Sequence, residues 1–188
     1  KTIGEIAKEQ GKGVIDALLD LAIEENLDTA FLQSEVNVDE AAVAEILNYP
    51  NALIGLSDGG AHVQFQAGFG YSTRILSEWV REKQAMSLET AVKRLTFESA
   101  SIFGLHDRGL LQPGMVADIV IFDPDTVRPL PNEVVHDFPG GAMRMRQPAE
   151  GIRMTIVNGQ VLMEDGKHVG SLPGRLLRNT HYRAGRQN

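Results

Sequence analysis

Ser57-Asp58-Gly59-Gly60-Ala61-His62 is the stretch whose residue types and spacing best suit chemistry. It follows Ala52-Leu53-Ile54-Gly55-Leu56, an apolar run without polar alternation, as expected of a strand covered on both faces. In α/β architectures functional groups collect where parallel strands end, so the spacing puts Asp58 at a strand's carboxyl edge. A carboxylate there can act as a general base or as a hard oxygen ligand to a divalent metal; equally, it can accept hydrogen bonds in a turn. His62 is a candidate proton donor or substrate contact, against the commoner structural histidine. Arg74 opens the next helix and can hold a substrate carboxylate in its fork, or simply sit at a helix end.

Other chemistries are excluded by what is missing. The five histidines, His62, His106, His136, His168 and His181, are dispersed, and there is no cysteine, so the chain shows no complete transition-metal motif. There is no Gly-x-Ser-x-Gly elbow, and Gly68-Phe69-Gly70 is too short for a dinucleotide fingerprint. Zero cysteines also exclude disulfides within the chain. With 18 Lys+Arg against 25 Asp+Glu, the net charge of −7 and the scattered basic residues argue against a nucleic-acid partner. No apolar run suits a membrane span and the first residues do not form a signal peptide, so the expectation is a soluble, cytoplasmic protein.

The elements that must position these residues follow from capping and periodicity. Thr2-Ile3-Gly4-Glu5 has capping-box spacing, with Gly11 as the stop. A second helix is expected from about Val14 to Glu25, with Ile15, Leu18, Leu19 and Ala22 on an apolar face. Thr29 to Leu32 is a candidate short strand. Asn37-Val38-Asp39-Glu40 caps a helix that Pro50 ends. Helices are then expected over Thr73 to Ala85, burying Ile75, Leu76, Trp79 and Val80, and over Ser87 to Leu95, burying Leu88, Ala91, Val92 and Leu95. A short helix ends near Phe103-Gly104.

From about Asp107 the pattern turns to strands. Ala117 to Phe122 is β-branched, and Met154 to Val157, Asn158-Gly159 and Gln160 to Met163 form a hairpin with a type I′ turn. Between them, residues 128–148 carry four prolines and read as irregular, and the arginine-bearing tail reads as solvated.

Four stretches together resemble the C-terminal region of metal-dependent amidohydrolases. They are Ala52 to Gly60, Ser87-Leu88-Glu89-Thr90-Ala91-Val92, Asp107-Arg108-Gly109-Leu110-Leu111-Gln112-Pro113-Gly114-Met115-Val116-Ala117-Asp118-Ile119-Val120-Ile121-Phe122-Asp123, and Val157-Asn158-Gly159. Within that superfamily the chain is most similar to the D-aminoacylase, or N-acyl-D-amino-acid deacylase, group. The resemblance implies an α/β fold: the C-terminal part of a TIM-type (β/α)8 barrel over residues 1–106, then part of a composite β-sandwich with a C-terminal tail over residues 107–188. It implies that Asp58 ends the eighth strand and is the acid–base residue beside a zinc-held water. Zinc would bring that water towards neutral pKa and polarise the amide carbonyl.

The zinc ligands of the family come mostly from earlier strands, and no metal ligand is assigned within this chain. A (β/α)8 barrel takes about 250 residues, so 188 residues cannot hold one plus a sandwich. The expectation is therefore the C-terminal portion of a zinc-dependent hydrolase of N-acyl amino acids, inactive by itself. Its partners would be the small-molecule substrate and the missing N-terminal part. A partial barrel exposes strand edges and apolar helix faces, which favours self-association. Two alternatives stand beside this reading: a cyclic-amide hydrolase of the dihydropyrimidinase or imidazolonepropionase kind, and a non-catalytic binding or assembly module on the same scaffold.

Overall fold

The computed structural model describes residues 1–31, 37–57, 62–64 and 68–178. Its contacts divide into two compact units, residues 1–39 and 40–188.

In the first unit, α1 (Ile3–Gln10) begins with the expected box: the Glu5 amide donates to the Thr2 hydroxyl and the Thr2 amide to the Glu5 carboxylate. Gly11 ends it at φ 64, a left-handed turn that glycine adopts without steric cost. α2 (Val14–Glu24) packs against α1, with Ala7 and Ala17 buried and a Lys12–Asp20 ion pair outside. The apolar face expected on α2 is present but open, with Ile15 73% exposed and Leu19 also exposed. Thr29 to Phe31 is irregular rather than extended in a sheet, and Leu32 lies outside the described residues.

In the second unit, α3 (Glu40–Asn48) ends just before Pro50. α4 (Tyr71–Arg74) runs on into a π-helical stretch, Ile75–Glu82. The Lys83 amide closes it on the Glu78 carbonyl, a five-residue step. α5 (Leu88–Lys93) is capped by the Ser87 hydroxyl, which accepts the Thr90 amide. It continues through a second π stretch, Arg94–Glu98, into α6 (Ser99–Ile102). Two helices expected from the apolar pattern are thus one rod with a widened middle, followed by Gly104 at φ 70.

Strands β1 (Ile119–Phe122), β6 (Ile152–Val157), β7 (Gln160–Glu164) and β8 (Lys167–His168) form an antiparallel sheet in that order. Asn158 and Gly159 turn the β6–β7 hairpin at φ 48 and 77, as that dipeptide predicts. Asp165-Gly166 repeats the device between β7 and β8. The proline-bearing stretch is more regular than expected. β2 (Arg128–Pro129) pairs with β5 (Ala149–Glu150), and β3 (Glu133–Val135) with β4 (Arg144–Arg146). Ion pairs Arg128–Glu150 and Arg146–Glu133 join residues directly opposite on these short ladders.

The core lies between the helices and the β1–β6 ladder. Ile75, Leu76, Trp79, Met86, Ala91 and Val127 are buried there, with Val43, Leu47, Ile54, Val80, Leu88, Leu95, Phe122 and Ile152 packed around them. Gly151 lets β6 approach: at φ 77, a Cβ on it would lie 2.4 Å from the Val127 nitrogen. Arg81 fastens the π stretch to the loop after β1 by donating to the carbonyls of Pro124 (3.0 Å) and Val127 (2.8 Å).

Residues 52–56 do not form the expected strand. Ile54 reaches the core, but Leu56 is 83% exposed. A strand is a pairing relation, and among the described residues no strand lies beside this run. No closed barrel is formed by the described residues, nor is any of their helices long and apolar enough to cross a membrane.

Candidate active site

Asp58 lies outside the described residues, but the chain on both sides of it is anchored. On the approach, Arg94 points from the π stretch into the interior, only 5% exposed. Its guanidinium donates to the Tyr49 carbonyl at 3.2 Å and to the Ala52 carbonyl. Its Nε makes no hydrogen bond among the described residues and stands 3.8 Å from a Glu98 carboxylate oxygen. The Asn48 amide group bonds the carbonyls of Ala44 and Ala85. Arg94 thus fixes the chain at Tyr49 and Ala52, and Asn48 ties the end of α3 to Ala85.

Beyond Asp58, His62 is exposed with φ 52, in the left-handed region that a non-glycine residue occupies infrequently. The next carbonyl, of Val63, accepts the Met145 amide from β4 at 2.6 Å. Further on, the Gly70 amide donates to the Gln147 side-chain oxygen at 2.7 Å, and Gln147 donates onward to the Leu130 carbonyl. A Cβ on Gly70 would lie 2.8 Å from the Cβ of the rigid Pro129 ring and would also displace that oxygen, so a side chain here disturbs the approach.

Arg74, at the end of α4, lines a groove of about 580 Å³ with Arg128, Leu130, Asn132 and Gln147. Its Nε is 3.9 Å from Glu78. A second groove, of about 570 Å³, lies between Val63 and Phe69 on one side and Phe138 and Arg144 of the β3–β4 hairpin on the other. Gln147 borders both. The Arg144 fork takes Asp137 in two bonds, 2.6 and 2.7 Å, which holds the Asp137 carboxyl below its ordinary range.

Among the described residues no three His, Cys, Asp or Glu side chains converge as a metal site. The described part of the chain therefore does not fit a complete zinc centre. Sequence reasoning missed Arg94 and Gln147. Arg94 had a signal: it lies three residues from Ala91 and one from Leu95, on the face of the helix that points inward, where a cation must find partners.

Residues 1–163 match the model of the family described as "Amidohydrolase family". The chain belongs to that family. It is 31% identical over 182 residues to the D-aminoacylase of Alcaligenes xylosoxydans xylosoxydans, covering 96% of this chain and 34% of that protein. A D-aminoacylase variant solved with copper chloride superposes with a TM-score of 0.59 at 30% identity, covering 95% of this chain and 35% of the other. The N-acyl-D-glutamate deacylase of Bordetella bronchiseptica was solved with zinc and a phosphonate inhibitor that mimics the tetrahedral intermediate. It superposes with a TM-score of 0.53 at 31% identity, covering 89% of this chain and 33% of that one. The amidohydrolase chain described here thus spans about a third of the length of these relatives.

Proposed function

We propose that the intact protein hydrolyses the amide bond of N-acyl-D-amino acids. The observation that carries this reading is the likeness to a D-aminoacylase along 96% of the chain. In this reading residues 1–106 belong to a TIM-type barrel and residues 107–188 to a composite sandwich. The division is supported by the placement of α1–α6 before residue 103 and of β1–β8 after residue 118.

Amide hydrolysis needs a proton moved twice. Water must lose one as its oxygen bonds to the acyl carbon, and the amine nitrogen must gain one as the carbon–nitrogen bond breaks. Asp58 is assigned both steps: its carboxylate takes the proton from water and delivers it to the leaving nitrogen, giving a carboxylate and a free amino acid. Arg74 is assigned the substrate's carboxylate, which its planar fork suits, and His62 a contact beside the reacting amide. The relatives' metal supports a zinc enzyme whose ligands lie mostly outside this chain.

The test is the protein expressed from its full reading frame, assayed on N-acyl-D-amino acids with and without chelator. Chelator-sensitive release of the free D-amino acid is expected. Turnover of cyclic amides alone, or of nothing, overturns the reading.

A further inference from the structure

We propose that the groove between Val63 and Phe69 on one side and the β3–β4 hairpin on the other receives an apolar substituent of the substrate, with Phe69 and Phe138 setting its size. The proposal rests on the deacylase reading above and extends it to specificity. The groove's volume of about 570 Å³ falls among small-molecule pockets, which run about 300–1,000 Å³.

Its chemistry is apolar despite two arginines on its wall. Arg144 is fully engaged by Asp137 and lies 5.8 Å over the Phe138 ring, while Arg146 is paired with Glu133 at 2.6 Å. Each cation has its carboxylate, so the wall offers no net charge to an anion. The remaining surface is Val63, Phe69 and Phe138, with the neutral Gln147 at its border. Burying an alkyl chain against such side chains is favourable because it removes apolar surface from water.

Position ties the groove to the reaction. Val63 is five residues after Asp58, so its backbone can lie no more than about 18 Å from the aspartate. The Met145–Val63 hydrogen bond holds the hairpin against this segment. The Arg74 groove begins at the shared Gln147, which places a carboxylate-binding group and an apolar wall side by side. An N-acyl amino acid carries both a carboxylate and apolar substituents.

The test uses the full-length enzyme and two substrate series, one lengthening the acyl chain on a single D-amino acid and one enlarging the amino-acid side chain on an N-acetyl group. Phe138 is 37% exposed, so its replacement spares the core. In Phe138→Ala, kcat/KM for the longest member of one series should fall about tenfold relative to the shortest, mainly through KM. Phe138→Trp should reject the longest member while still turning over the shortest. The series that responds identifies the substituent. Unchanged ratios in both variants and both series overturn the proposal. A wild-type enzyme inactive on every member instead overturns the deacylase reading, and this proposal with it.

Discussion

Asp118 accepts the Arg108 guanidinium on one carboxylate oxygen and, through the other, the backbone amide of Asn158 at 2.7 Å. The segment that most resembles amidohydrolases is therefore a structural clasp. It joins the loop after the helices to the turn of the β6–β7 hairpin, and the Ala117 carbonyl adds a bond from Gly159. Asp118→Ala strands both donors and should cost about 1.5–3 kcal/mol. Urea denaturation of the intact protein measures this, and activity per folded molecule should be unchanged.

Arg94 anchors the chain ahead of Asp58. Replacing it by Met removes the partners of the Tyr49 and Ala52 carbonyls, at a cost of about 1–3 kcal/mol. Because those carbonyls precede the segment leading to Asp58, kcat should fall while KM changes little. Arg94→Lys can restore one of the two bonds and should recover part of the loss. Full kcat in Arg94→Met would show that the anchor does not serve the site.

Two glycines with the same φ separate strain from packing. Gly159 at φ 77 has open space around it, so Gly159→Ala should cost about 1–2 kcal/mol, the price of a left-handed residue. Gly151, also at φ 77, faces the Val127 backbone at 2.4 Å. Gly151→Ala should cost about 4 kcal/mol or prevent folding. Equal melting temperatures for the two variants would contradict the packing described.

The Asp137–Arg144 pair gives the hairpin a pH dependence. The guanidinium holds the Asp137 carboxyl below its ordinary value, so the folded state binds its proton less readily than the unfolded chain. That stability is present above the ordinary value of about 3.9 and is lost as pH falls through the lower folded value. The melting-temperature difference between wild type and Asp137→Asn should thus be present at neutral pH and close below about 3.9. A difference that stays constant across this range would contradict the pairing.

What was legible in the sequence was local. The Thr2 box, the Gly11 stop, the helix start at Ser87 and the Asn158-Gly159 turn are each decided by residues within a few positions. The Asp165-Gly166 turn was equally local and passed unread. The run 52–56 reads as a strand, but a strand needs a neighbour that its own residues do not supply. The β3–β4 ladder escaped because its prolines suggested irregularity, whereas pairing by Arg146–Glu133 depends on residues 13 apart. Nothing in the residue pattern marks the widened π stretches. For the site, Asp58, His62 and Arg74 were named from spacing, while the grooves and the Arg94 anchor required tertiary contacts.

The central claim is that Asp58 moves the proton in amide hydrolysis. Its most direct test is the steady-state turnover of an N-acyl-D-amino acid by full-length Asp58→Asn beside wild type, at matched folding and metal content. An amide cannot exchange the proton, so kcat should fall by at least about 10²-fold. Turnover by Asp58→Asn equal to that of wild type would contradict the account.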